Sequence, residues 1–177
     1  MLARKLRLLF VKCKYGRKLE MSKKAKYTNI EKCNNITIID GKIILNGSLC
    51  MKHGSRLGVN NGGKIIIGDN CFFNNNSICC SLGKIEIGCG VSIGPNVSIY
   101  DHDHDFNENG KITDKYKIGE ISIGNNVWIG AGAIVLRNSK IGDNCVIGAG
   151  AIIKGEIPPN SLVVGDRNII IKKLKKK

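Results

Sequence analysis

The chain has 177 residues with 28 Lys and Arg against 14 Asp and Glu, a formal charge of +14, and 42% of its residues are apolar. That length carries one domain with its own core, and that apolar content excludes a disordered chain. Aromatic residues make up only 5% while Gly contributes 22 and Ile 28, a bias toward thin repeated layers rather than a globule built on large rings.

In chain order the first expected element is a helix. Leu2, Leu6, Leu9, Phe10 and Cys13 fall on one helical stripe flanked by basic residues, which predicts a short amphipathic helix within a basic segment, residues 1–26. That segment holds ten basic residues against Glu20 alone, and five more lysines lie in Lys172–Lys177, within a basic tail of residues 166–177. Residues 27–171 balance at 13 against 13. A nucleic-acid groove would place its charge on the folded body, so no nucleic-acid partner is expected. A basic amphipathic end suits the surface of an anionic membrane, but a lid over the open end of a repeat protein is the favoured reading of the helix.

No apolar run approaches the roughly 20 residues needed to span a bilayer. The N-terminal stretch is basic throughout and lacks a small-residue cleavage site, which argues against a signal peptide and leads to an expected cytoplasmic location, with peripheral contact at the inner face of the membrane as an extension. Eight cysteines without CxxC spacing read as reduced thiols in the core.

From residue 67 an aliphatic residue followed by Gly recurs, at Ile67-Gly68 and then, from residue 87, at multiples of six: Ile87-Gly88, Ile93-Gly94, Ile123-Gly124, Ile129-Gly130, Ile141-Gly142 and Ile147-Gly148. Four residues after each aliphatic stands a small one, among them Cys71, Val97, Ala133 and Cys145. Six is not a helical period, and hexapeptide periodicity is the signature of a parallel β-helix in which three hexads make one turn. Asn-rich segments such as Asn74-Asn75-Asn76 and Asn125-Asn126 suit its corners, where the backbone turns left-handed. The expected layout is a β-helix over residues 27–165, blurred in its early turns.

One place breaks the repeat. The hexad Ile99-Tyr100-Asp101-His102-Asp103-His104 puts Asp103 where a small apolar residue belongs, and no phase returns until Ile121. Residues 105–120 must therefore leave the prism as an excursion, because charge is not placed in a core for packing reasons. Two of the three histidines sit on this break, which marks it as the candidate site.

The segments IGPNVSIYDHDHDF, ISIGNNVWIGAGAIV and IGDNCVIGAGAIIKGEIPPNSLVVG together resemble the hexapeptide-repeat acyltransferases, in particular sugar O-acetyltransferases of the galactoside and maltose acetyltransferase type and relatives acting on capsular and other surface polysaccharides. The resemblance spans about residues 64–165 and implies an all-β fold, a left-handed parallel β-helix. It further implies acetyl-CoA as co-substrate without a metal, a sugar or polysaccharide acceptor, and a homotrimer with sites shared between subunits. By position the catalytic histidine falls on His104, with His102 as the competitor, because this chain reads Asp-His-Asp-His-Asp where the family commonly has Thr-x-x-His-Pro. The acceptor-site Asn falls on Asn74, thirty residues before His104, and Tyr100, Asp101 and Asp103 group with the acceptor. The donor side takes Trp128, Gly130, Ala131, Gly148, Ala149 and Lys154. Arg167 stands where the family's usual Val-Pro-Ala and basic residue would contact the coenzyme phosphates.

The chemistry follows from the residue types. Transfer from a thioester to a hydroxyl needs a base, and a neutral imidazole suits that task near neutral pH. Asp101, Asp103 or Asp105 would orient it, and a backbone N–H or the Asn74 amide would hold the oxyanion. Other readings are an N-acetyltransferase acting on an amino sugar nucleotide, a non-catalytic binding or structural β-helix, and a zinc β-helix of the carbonic anhydrase kind that would draft His53 as third ligand.

Overall fold

The computed structural model describes residues 2–31 and 35–165. It opens on one helix, α1 (Leu2–Tyr15), and continues as short parallel strands wound into a three-faced prism of about six turns. Face one runs from Leu19–Met21 to Glu156–Ile157, face two from Asn29–Ile30 to Leu162–Val163, and face three from Asn35–Ile38 to Ile152–Ile153. The chain turns at a first edge between faces one and two, a second edge between faces two and three, and a third edge between face three and the next turn's face one. Among the described residues no helix is long and apolar enough to cross a membrane.

The hexad explains itself at this level. Strand residues alternate across the sheet, so each aliphatic and the small residue four positions later both point into the prism. Ile67, Ile87, Ile123 and Ile141 stack in register on face one, and Cys71, Val91, Val127 and Cys145 are buried beside them. Burial pushes the Cys71 thiol up to about 11, and Cys79 lies fully buried with its thiol likewise raised, so these cysteines pack and do not react.

The glycine after each aliphatic is required by stacking. A Cβ on Gly88 would lie 2.6 Å from the carbonyl oxygen of Gly124 in the next turn, a distance no real contact tolerates. Two residues on, the first edge takes a left-handed residue at Asn70, Gly90, Asn126, Asn144 and Asn160. Asparagine serves there because its amide bonds the next turn, Asn126 Nδ2 to Asn144 Oδ1 at 3.3 Å and Asn144 Nδ2 to Asn160 Oδ1 at 3.2 Å.

The prism begins earlier than the sequence pattern indicates. Leu19–Met21 already pairs with Ile43–Leu45, so the repeat reaches back into the basic segment. Its early turns are long: paired face-one residues stand 22 positions apart at Ile43 and Ile65, but 18 apart at Ile123 and Ile141. Surplus residues at the corners hide the hexad without altering the inward face.

Helix α1 caps the open end, but on a different face from the expected one. Leu8 is buried in the core, Val11 packs against it and Tyr15 Oη donates to the Ile36 carbonyl at 2.7 Å. Leu9 and Phe10 point outward, 58% and 70% exposed, and Cys13 is exposed. The capping stripe follows i, i+3, i+7 from Leu8; lysine and arginine neighbours gave the other stripe an equal apolar appearance in sequence.

We expect Gly88→Ala to lower stability by roughly 1–3 kcal/mol, the usual cost of overpacking a close contact, read as a lower urea midpoint with the slope unchanged.

Candidate active site

The repeat is interrupted at the third edge of the fourth turn, directly after the strand Ser98–Tyr100. What leaves the prism is an antiparallel hairpin, His102–Phe106 paired with Ile112–Ile118. It starts three residues before the expected excursion and is ordered strand, because Ile112, Tyr116 and Ile118 give its return arm apolar residues to pair across.

Asp101 holds both ends of this hairpin. Its side chain is fully buried and accepts three hydrogen bonds from the preceding turn: Ser81 Oγ to Oδ2 at 2.6 Å, Leu82 N to Oδ1 at 2.9 Å and Gly83 N to Oδ2 at 3.0 Å. Its backbone carbonyl accepts from Gly119 N at 2.8 Å, where the chain re-enters the prism. Gly83 leaves room for that return, since a Cβ there would meet the Gly119 oxygen and the Ile118 side chain at 2.6 Å. A buried carboxylate is expensive unless its oxygens are satisfied, and here the satisfying donors also fix the departure point of the hairpin.

The same carboxylate reaches the first histidine. His102 Nδ1 lies 2.9 Å from Asp101 Oδ1. Both oxygens already act as acceptors, so the hydrogen of this contact sits on Nδ1. The ring stands edge-on between Tyr100 and Tyr116, with centroids 5.9 and 5.8 Å away. It also lines a groove of about 310 Å³, together with Asn35, Thr37, Arg56, Asn60 and Cys80. Burial, and after it the Asp101 charge, pushes the Cys80 thiol up, so the sulfur in this groove is no nucleophile.

His104 stands two residues on, directly opposite Tyr116, with the two ring centroids 4.8 Å apart. It is exposed, and among the described residues it has no hydrogen-bond partner. Asp103 is paired with the Nε of Arg137 from the turn below, and Asp105 with Lys117 Nζ at 3.0 Å across the hairpin. Of the three aspartates expected to orient an imidazole, Asp101 does so, toward His102, and the other two brace the hairpin.

The remaining candidate residues are divided between edges. Lys154 follows face three of the sixth turn and so shares the third edge with Asp101 and Arg137. Asn74, Gly130, Ala131, Gly148 and Ala149 share the second edge, where a Cβ on Gly130 would meet Ala149 N at 2.6 Å. Asn74 Oδ1 accepts from Asn75 N at 2.8 Å, and its corner lies at the opposite end of face three from Asp101. Trp128 stands on face two, 57% exposed, flanked by Ser92 and Val146. Within one chain the structure brings Tyr100, Asp101, His102, Asp103 and His104 together and does not bring Asn74 or Trp128 to them. His53, at a second-edge corner, is also apart from this cluster. Arg167 lies outside the described residues. Arg137, Tyr116 and Ser81 belong to the site and were not singled out from sequence; only their hexad phase, which puts Arg137 and Ser81 on the third edge, could have found them.

Residues 120–155 match the family described as bacterial transferase hexapeptide (six repeats). Nodulation protein L of Rhizobium meliloti is 41% identical over 104 residues, 59% of this chain and 57% of that protein. Among solved structures, a hexapeptide-repeat acetyltransferase from Vibrio cholerae complexed with acetyl coenzyme A is 27% identical, covering 70% of this chain and 66% of that one, with a TM-score of 0.60. A maltose O-acetyltransferase from Clostridium difficile is 28% identical over 99% of this chain and 88% of that one, with a TM-score of 0.55. The chain spans less than two thirds of the length of the curated relatives it matches first.

Replacing Asp101 by Asn keeps the shape but turns one acceptor oxygen into a donor facing N–H and O–H groups. We expect Asp101→Asn to cost about 3 kcal/mol, as for a buried charge network deprived of one member, with the Gly119 amide losing protection from hydrogen exchange before the amides of the prism do.

Proposed function

From the premise that this chain is a hexapeptide-repeat β-helix of the kind found in these acetyltransferases, we propose that it transfers an acetyl group from acetyl-CoA to a hydroxyl of a sugar, in the biosynthesis of a capsular or other surface polysaccharide. The observation that carries the reading is an exposed imidazole, His104, on a hairpin that a buried carboxylate pins to the prism. A general base must be accessible and held at a fixed place, and the hairpin supplies both.

In this reading His104 takes the proton of the acceptor hydroxyl as that oxygen attacks the thioester carbonyl. The carbonyl oxygen becomes an oxyanion held by N–H donors, the C–S bond then breaks, and the imidazolium returns its proton to the coenzyme thiolate. His102 serves as a positioning residue, since Asp101 and two tyrosine rings enclose it. Transfer is direct in a ternary complex; the thiols beside the site, raised by burial, offer no covalent route.

The division between edges supports a trimer. Asn74, Gly130, Ala131, Gly148 and Ala149 line the second edge while His104 and Lys154 belong to the third, so one copy's third edge set against another's second edge unites them. The hairpin is apolar enough for this: Phe106, Ile112, Tyr116 and Ile118 are all exposed in the single chain. A long groove between two prisms also suits an extended pantetheine chain.

We expect His104→Ala to lower kcat by about 10²- to 10⁴-fold, the usual worth of a general base, with little change in affinity for the donor. His102→Ala is expected to keep most of the wild-type rate and lose stability instead. An inactive His102→Ala beside an active His104→Ala assigns the proton to His102 and reverses the two roles.

A further inference from the structure

The cap of the prism carries a feature that acyl transfer does not use. Charge is concentrated there: residues 1–26 hold ten Lys and Arg against one Glu, while residues 27–165 balance at 12 against 12. Exposed apolar side chains lie there too, in Leu9 and Phe10, which α1 turns outward while Leu8 and Val11 bind the core. Between α1 and the first turn lies an open cavity of about 770 Å³. Leu8, Leu9 and Met21 form its apolar part and Lys12, Lys23 and Lys26 its cationic part.

We propose that this cap is a binding surface for an anionic phospholipid bilayer. Leu9 and Phe10 enter the boundary between headgroups and acyl chains, one lipid chain lies along the Leu8, Leu9 and Met21 wall, and the lysines meet the phosphates. The combination of features selects this occupant. A phosphate backbone would satisfy the lysines but offers nothing to two large apolar side chains held outward by a helix that Leu8 and Val11 anchor to the core. An anionic bilayer satisfies both, through burial of apolar area and attraction of basic residues to its surface potential. The cap lies at the end of the prism where its first turn begins, away from the hairpin in the fourth turn, so a chain seated on a membrane keeps the third edge open. The proposal does not depend on the transfer reaction.

Sedimentation of the full chain with vesicles tests it, using phosphatidylcholine alone and an equal mixture with phosphatidylglycerol. Binding to the anionic vesicles is expected to exceed binding to the neutral ones by at least about tenfold, and to fall as salt approaches 1 M, where the screening length is about 3 Å. The double variant Leu9→Glu/Phe10→Glu is expected to lose about tenfold or more of the anionic binding at an unchanged melting temperature, because neither side chain supports the core. Lys12→Glu/Lys23→Glu, at two other surface positions of the same cavity, is expected to do the same and guards against a folding defect in the first variant. Failure of the full chain to sediment with anionic vesicles at low salt overturns the proposal. Undiminished binding by Leu9→Glu/Phe10→Glu overturns it as well, since the charges of the termini would then suffice without the cap. Each of these results leaves the assignment of His104 untouched.

Discussion

A carboxylate buried at a corner of the prism is the interaction on which the rest of the site depends. Asp101 occupies the place where, among the described residues, a hairpin interrupts the winding, and without a compensating device the interruption would leave three donors of the preceding turn facing an empty corner. The carboxylate fills that corner, and its own carbonyl receives the returning chain at Gly119. The strand that carries His104 thus departs from the prism at a point fixed by the packing of two turns. A loop attached at its ends alone would leave the imidazole free to wander by more than the tolerances of a proton transfer.

Close stacking of turns explains why so much of the fold could be read from the chain. Gly88 must lack a Cβ because Gly124 lies beneath it, and Asn126 must be left-handed because the corner turns there. Such constraints recur at every turn and therefore write a period into the sequence. The early turns obey the same inward alternation, as in Ile36 and Ile38 or Leu57 and Val59, yet their longer corners erase the period. The sequence pattern consequently starts the solenoid later than Leu19.

Other features were not written periodically. The orienting role of Asp101 depends on Ser81, Leu82 and Gly83, which are about one turn away in sequence and marked by no motif. The inward face of α1 was ambiguous because two stripes of similar apolarity share a helix of 14 residues. The separation of Asn74 from His104 was available in principle. Phe73 pairs with Ile93, 20 residues on, and one further hexad crosses face three, so thirty residues carry the chain past the edge of Asn74 to the opposite end of that face. Reading the residues as neighbours in one chain overlooks this; reading them as neighbours across two copies accommodates it.

Nitrogen-15 NMR of the histidine side chains at neutral pH measures the pin directly. Asp101 is expected to hold His102 as the Nδ1–H tautomer with a lone pair on Nε2, and Asp101→Asn is expected to abolish that preference while the prism amides retain their dispersion. His104, lacking such a partner in the single chain, is expected to show no comparable bias in the unliganded protein. A His102 ring found as the Nε2–H tautomer, or one unaffected by Asp101→Asn, contradicts the claim that this carboxylate positions the hairpin and its histidines.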